Sequence, residues 1–453
     1  MVATQTKEET RNYLKKFTRA LRAQQMDKIE SILQKMHPAE IAHLLESLPS
    51  DQREIIWPHL PVEAEGEVLL HLNDNIRATF IEKMDPGDLV AATEALDEDD
   101  LADLFPEMPR DVVQELLLSM EQQDRDRLKA VLYYPEDTAG GLMDLDTITV
   151  RADINLDVVL RYLRRRGEIP ASTDSLFVVD RNGLYLGLLP LTALLTHDPD
   201  ASVHEVMEHD ENAIPADMPA REVANLFQHR DLITAPVISE ENMLLGRVTI
   251  DDVVDVIRDD ADHSLLSMAG LDEETDMFAP VMTSTKHRAV WLGVNLLTAL
   301  LASWVIGIFQ GTIQQFVALA ILMPIIASMG GIAGTQTLTL IIRGIALGQI
   351  SASNARQLFI KELWVGVWNG LIWAIVLATI AGLWFANLKL SLVIAAAIII
   401  NLIVAAIAGA TVPLLLRRVG IDPALAGSVV LTTITDVMGF FAFLGLASIF
   451  LVQ

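Results

Sequence analysis

The stretch ALAGSVVLTTITDVMGFFAFLGLASIFL, residues 424–451, decides the fold. A single charge, Asp436, interrupts an apolar run longer than the roughly 20 helical residues that cross a bilayer core. Four further apolar segments precede it, at approximately 289–309, 316–342, 363–386 and 390–416. Hiding five such segments would take a very large soluble core, so they are predicted to be membrane-spanning helices. From Lys286 to Gln453 the chain has eight Lys or Arg and only three acidic residues: Glu362, Asp422 and Asp436. The 453-residue chain holds 33 basic and 60 acidic residues, which leaves 25 and 57 for residues 1–285, a formal charge near −32. That field attracts cations and repels nucleic acid, so no nucleic-acid partner is expected. It also reads as a solubilising surface. The absence of cysteine excludes disulfides and thiolate metal sites. The polar N-terminus predicts no cleavable signal peptide.

Orientation follows from the loops. Lys286, Arg288, Arg343, Arg356, Lys361, Arg417 and Arg418 flank one side of the spans, and only Lys389 the other. The positive-inside rule places the first group, and with it the soluble region, in the cytoplasm, and the C-terminus outside. Five spans make a thin bundle for a permeation path, and a pore on a two-fold interface solves that geometry, so a homodimer is expected. Asp422 marks the cytoplasmic end of the fifth span. Asp436 lies 14 residues deeper, about 21 Å at a rise of 1.5 Å per residue. Carboxylates at such depth usually line ion or proton pathways, and no intramembrane Lys or Arg is available as a partner. A protonated structural aspartate is the alternative. Carboxylate, carbonyl and threonine oxygens are hard ligands that suit Mg²⁺ or Ca²⁺. The second span contains Pro324 and the run Met329-Gly330-Gly331-Ile332-Ala333-Gly334-Thr335-Gln336. Its glycines permit either close helix packing or backbone facing a cavity.

The soluble region is predicted to hold two modules and a connecting helix. Residues 1–130 read as a small helical solenoid, with Met36-His37-Pro38 echoed by Met84-Asp85-Pro86. Residues 137–249 read as an internal α/β duplication. Strand candidates Ser175–Asp180 and Ala235–Ser239 are each followed by Leu-Gly, and Gly187 and Gly246 lie 59 residues apart. Neither copy has the Gly-rich loop of a Rossmann or P-loop site. The helix that begins at Ile250 carries Asp252, Asp255, Asp259 and Asp262 at intervals that place them on one face. Such a row is either a solvated face or a site for a counter-cation. No constellation of nucleophile, base and oxyanion donors is evident, so an enzyme is not expected.

The order of modules and three motifs resemble the MgtE family of magnesium channels and transporters. The motifs are 329–336 above, Asp422-Pro423-Ala424-Leu425-Ala426, and Thr433-Ile434-Thr435-Asp436-Val437-Met438-Gly439. The resemblance spans nearly the whole chain. It implies a multidomain protein: an acidic superhelical N-domain (1–130), tandem CBS domains (137–249), a plug helix (250–270) and an all-α transmembrane domain of five helices (286–453). It implies a homodimer in a bacterial inner membrane, with a pore lined by the second and fifth spans. Asp436 would then hold hydrated Mg²⁺ through its waters, helped by backbone oxygens around Gly330, Gly331 and Thr432. Closure at high cytoplasmic Mg²⁺ would use Asp251, Asp252, Asp255 and Asp259, with Asp422 at the mouth of the pore. Adenine nucleotide, ATP in particular, is a further implied ligand, for which Thr249 and Asp252 match the ribose-side pattern. The family usually has Asn where this chain has Ile332, which leaves the choice between Mg²⁺ and Co²⁺ open. The competing reading is a proton- or sodium-coupled divalent-cation transporter that uses Asp436 as its coupling carboxylate. A channel would carry currents set only by the divalent gradient and voltage. A membrane-anchored sensor without transport leaves Asp436 unexplained.

Overall fold

Short helices in the soluble region begin where the chain supplies a cap followed by proline. His37 caps the helix Pro38–Glu46: its Nδ1 accepts the Ala39 N–H at 3.3 Å, while Glu40 accepts the His37 N–H at 3.1 Å. Proline at the first helical position removes only an N–H that would have had no partner in the helix. The computed structural model describes residues 17–452, apart from 18, 22, 24, 94, 95, 97, 121, 210, 211, 272–275 and 352. The chain divides into two compact units, Met1–Ala261 with Glu274–Pro280, and Asp262–Glu273 with Val281–Gln453.

The first unit opens with α1 (Met26–Leu33), α2 (Pro38–Glu46), α3 (Ser50–Ile56), α4 (Val62–Leu70), α5 (Asp74–Lys83), α6 (Pro86–Thr93), α7 (Glu98–Leu104), α8 (Arg110–Ser119) and α9 (Gln122–Val131). Alternate helices pack together, α2 on α4, α4 on α6 and α6 on α8, which is the stacking expected of a solenoid. Leu45, Ile56, Leu69, Ile81 and Leu89 are sealed between them. Arg53 is also buried, at 4% exposure. It is satisfied by the Leu45 carbonyl at 2.8 Å and by a bidentate pair with Asp276 at 2.7 and 2.8 Å. Asp276 comes from the segment just ahead of the first span, so a charged clamp ties that segment to the solenoid.

The duplication has two matching sheets. In the first, β1 (Thr149–Arg151) runs parallel to β2 (Ser175–Val179), which pairs antiparallel with β3 (Tyr185–Pro190). In the second, β4 (Ile214–Pro215), β5 (Thr234–Ile238) and β6 (Leu244–Thr249) repeat that order. Val178 faces Gly187 and Val237 faces Gly246, and each register shifts at the next residue, so even the irregularity is duplicated. Helices α10 (Leu156–Arg166) and α13 (Ala220–Arg230) flank the sheets; the shorter α11 (Leu191–Thr196) and α12 (Val203–Val206) lie between them in sequence. Buried Arg247 in β6 joins the copies through Asp144 at 2.8 Å and through Thr173 at 2.9 Å. The connecting helix α14 follows directly as Ile250–Ser267.

The second unit contains five helices long and apolar enough to cross a membrane: α15 (Val281–Ile308), α17 (Ala318–Ala346), α18 (Ala355–Phe385), α19 (Leu388–Arg418) and α20 (Pro423–Phe450). A short α16 (Gln310–Gln315) separates the first two. The fourth span, α19, is the scaffold. It packs on α17, α18 and α20, and 56% of its most apolar window is buried, against 11% for α15. Small residues Gly366, Gly370, Ala374 and Ala381 turn α18 inward and let its backbone approach α19.

Candidate functional site

Asp436 sits midway along α20 and is partly exposed, as are Thr432 and Thr433 one turn before it, whereas Gly439 and Phe440 one turn after it are buried. Among the described residues no ion pair reaches it. The hydroxyls around it are committed as donors: Thr432 to the Ser428 carbonyl at 2.9 Å, Thr433 to Val429 at 2.7 Å and Thr435 to Thr432 at 3.1 Å. With their protons directed to the helix backbone, the partly exposed Thr432 and Thr433 retain oxygen lone pairs as acceptors, whereas Thr435 is fully buried. Acceptors beside a carboxylate suit a hydrated cation, whose waters are donors.

The neighbouring helix α17 contributes an exposed polar face, formed by Ser328, Thr335, Gln336 and Thr339. Ile332 stands in that face at 57% exposure. The two glycines differ. Gly331 is partly open, whereas Gly330 is buried against the side chain of Asn401 on α19. The other membrane carboxylate is Glu362, near the N-terminal end of α18 and only 3% exposed. It accepts a bond from Thr337 at 3.2 Å and pairs with Lys361 at 3.0 Å.

At the start of α20, Asp422 does two things at once. Its Oδ1 accepts the Ala424 N–H at 2.9 Å as the helix cap, and its Oδ2 meets His263 Nε2 on α14 at 2.9 Å. His263 gave no signal in the sequence, because a lone histidine on a charged helix resembles any solvated residue.

The acidic face of α14 is not uniform. Asp252 turns back, and its Oδ2 accepts the Thr249 hydroxyl at 2.8 Å. Burial, with Asp251 and Asp144 nearby, pushes its carboxyl up to about 6. Asp251, Asp255 and Asp259 are exposed, and Arg258 lies 3.9 Å from Asp255 and 4.0 Å from Asp259. The row therefore carries a basic residue of its own, which partly offsets the repulsion expected from spacing. Asp103 on α7 joins this region from the solenoid. It lines a cleft of about 480 Å³ with Glu136, Asp137 and Tyr134. Its side chain keeps access to solvent through the cleft, yet the surrounding protein and the charges of Asp100, Glu136 and Asp252 push it up to about 7. The sequence did hold a signal here, the acidic run Glu98-Asp99-Asp100 one turn ahead of Asp103. Among the described residues no three carboxylate or imidazole side chains converge as a preformed metal cage.

Comparison with known proteins bears on the whole chain. The pattern of the divalent cation transporter family MgtE matches residues 323–446, that of the MgtE intracellular N domain matches 36–137, and CBS domains match 139–200 and 203–259. The magnesium transporter MgtE of Thermus thermophilus is 32% identical over 439 residues, 96% of each chain. The magnesium transporter MgtE of Bacillus subtilis is 26% identical over 421 residues, 93% of each. Among solved structures, the cytosolic domain of the Mg²⁺ channel MgtE in complex with ATP is 32% identical, with a TM-score of 0.48 over 53% of this chain and 98% of that one.

Proposed function

The chain belongs to the MgtE family of magnesium transporters, and from that premise we propose that it is a Mg²⁺ channel closed by cytoplasmic Mg²⁺. Magnesium transport under the control of cytoplasmic regulatory domains is the activity of the family, and it is not an enzymatic one. The observation that carries the finer reading is Asp436, a partly exposed carboxylate in a membrane helix, without an ion pair among the described residues. A second copy of the chain related by a two-fold axis would bring two such carboxylates together, with the polar face of α17 alongside. In that homodimer Asp436 takes the waters of a hydrated Mg²⁺, and Thr432 and the backbone at Gly330 and Gly331 complete the polar lining. Mg²⁺ gives up its water reluctantly, so one carboxylate with acceptors for the hydration shell suits it better than a cage of direct ligands. The loop charges favour the soluble unit in the cytoplasm and the C-terminus outside.

Closure is assigned to Asp251, Asp252, Asp255, Asp259 and Asp422. A cation on α14 offsets the repulsion that Arg258 only partly relieves, and the helix then packs and blocks the pore. The raised carboxyls of Asp103 and Asp252 support this: burial first, and then neighbouring carboxylates, make the bare charge costly and favour an added proton or metal ion. Adenine nucleotide is assigned to the Thr249–Asp252 pair as a further ligand, with ATP the candidate. A coupled carrier that used Asp436 as its coupling carboxylate would make flux depend on a proton or sodium gradient, whereas the proposed channel follows the divalent gradient and voltage alone. The test is Mg²⁺ flux into proteoliposomes as cytoplasmic-side Mg²⁺ is raised. Neutralising Asp252, Asp255 and Asp259 together is expected to leave conduction intact and to shift half-closure at least tenfold upward in Mg²⁺. Unchanged closure would refute the gating assignment.

A further inference from the structure

Asn401 lies in the middle of the scaffold helix α19 and is fully buried, with 0% exposure. An amide in the core of a membrane is costly unless its hydrogen bonds are made. One is made: Nδ2 donates to the carbonyl of Ile326 on α17 at 2.8 Å. The other end is not, since Oδ1 is buried and has no partner among the described residues. An apolar residue would avoid that penalty, so the site retains an amide against its own stability.

What surrounds the amide connects it to the pore. A Cβ added to Gly330 of α17 would lie 2.3 Å from Asn401 Nδ2. A Cβ added to Gly439 of α20 would lie 2.9 Å from Nδ2 and 3.0 Å from Oδ1. The carboxamide is therefore wedged between the second and fifth spans with no slack on either side. Gly330 adjoins Gly331, and Gly439 is three residues, about 4.5 Å along the axis, from Asp436. The sequence has no amide at Ile332, and one arrives at Gly330, the first of the glycine pair, from a different helix.

We propose that Asn401 is a specificity-determining residue that acts through its neighbours: wedged between Gly330 and Gly439 and bonded to Ile326, it sets the separation of the second and fifth spans, and hence the width at Asp436, in favour of Mg²⁺ over Ca²⁺. This rests on the pore reading given above. The two ions differ by a few tenths of an ångström in ligand distance, and Mg²⁺ holds an octahedral water shell that Ca²⁺ does not require. A pore set by rigid contacts can use so small a difference, and one with loose helices cannot.

The experiment is competitive uptake of Mg²⁺ and Ca²⁺ into proteoliposomes by the full chain. Wild type is compared with Asn401→Ala, which opens the wedge, and Asn401→Leu, which has the same number of side-chain heavy atoms and no hydrogen bond. The Mg²⁺-to-Ca²⁺ uptake ratio is expected to fall at least fivefold in both. A residue that only supports the fold would lower both ions in proportion, and an unchanged ratio in folded Asn401→Leu overturns the proposal. If Asn401→Ala does not fold, the leucine variant decides alone. Asp436→Asn in the same vesicles separates the two readings. Normal Mg²⁺ uptake there sinks the pore itself, whereas lost uptake with an unchanged ratio in Asn401→Leu sinks only the role of Asn401.

Discussion

Near the N-terminal end of α18, Glu362 is enclosed by protein, bonded to Thr337 and paired with Lys361. Halfway along α20, Asp436 stands partly exposed, without an ion pair among the described residues. Both are carboxylates in the stretch from Lys286 to Gln453, which has only three, and their surroundings are opposite. A carboxylate whose protein neighbours satisfy it is explained by the fold. One left without them at membrane depth points either to a partner that arrives from outside the chain, as proposed, or to a protonated structural acid. The first unit follows the first pattern at Arg53–Asp276 and Arg247–Asp144, where part-buried acids answer buried guanidinium forks.

The largest effect that would break this contrast is a difference of sign in stability. Glu362→Leu leaves the buried Thr337 hydroxyl without its acceptor and is expected to lose about 1–3 kcal/mol, lowering the melting temperature of the purified protein by several degrees. Asp436→Leu removes a charge that costs on the order of 2.5–3.5 kcal/mol at a bilayer centre, less where it is partly exposed, and is expected to raise the melting temperature. Gain of stability with loss of activity is the signature of a functional site. Melting curves that fall together for both variants would erase the distinction.

A smaller effect concerns the solenoid, where Glu65 is an acid with neither a basic partner nor a bound-ion role assigned. Burial, and then Asp88, raise it from 4.5 to about 6. Because its folded value lies above its unfolded value, its contribution to stability is complete below about pH 4.5 and is lost as pH rises through about 6. Glu65→Gln is expected to flatten the decline in melting temperature between about pH 5 and 7 and to leave transport unchanged. An identical pH dependence in the variant would contradict the assignment.

Much of this was legible in the sequence because it is periodic or local. Apolar length marked the spans, and Gly187 and Gly246 marked the duplication that the paired registers repeat. The spacing of Asp252, Asp255 and Asp259 marked the acidic face. What the sequence hid are partners brought together over long distances. Nothing near Asn401 announces that Gly330 and Gly439 close on it, and nothing near His263 points to Asp422. The acidic run before Asp103 was visible, but its neighbours Glu136 and Asp252 come from other elements. Arg258 was in plain view within the acidic row, and its significance emerged only when its distances to Asp255 and Asp259 were known.

The central claim is that Asp436 meets the permeating ion, and its most direct test is Mg²⁺ flux through wild type and Asp436→Asn reconstituted at equal density. The substitution keeps the shape and removes the charge. The account predicts that flux falls at least a hundredfold while the variant remains folded. Magnesium-selective flux near the wild-type level in Asp436→Asn would contradict it.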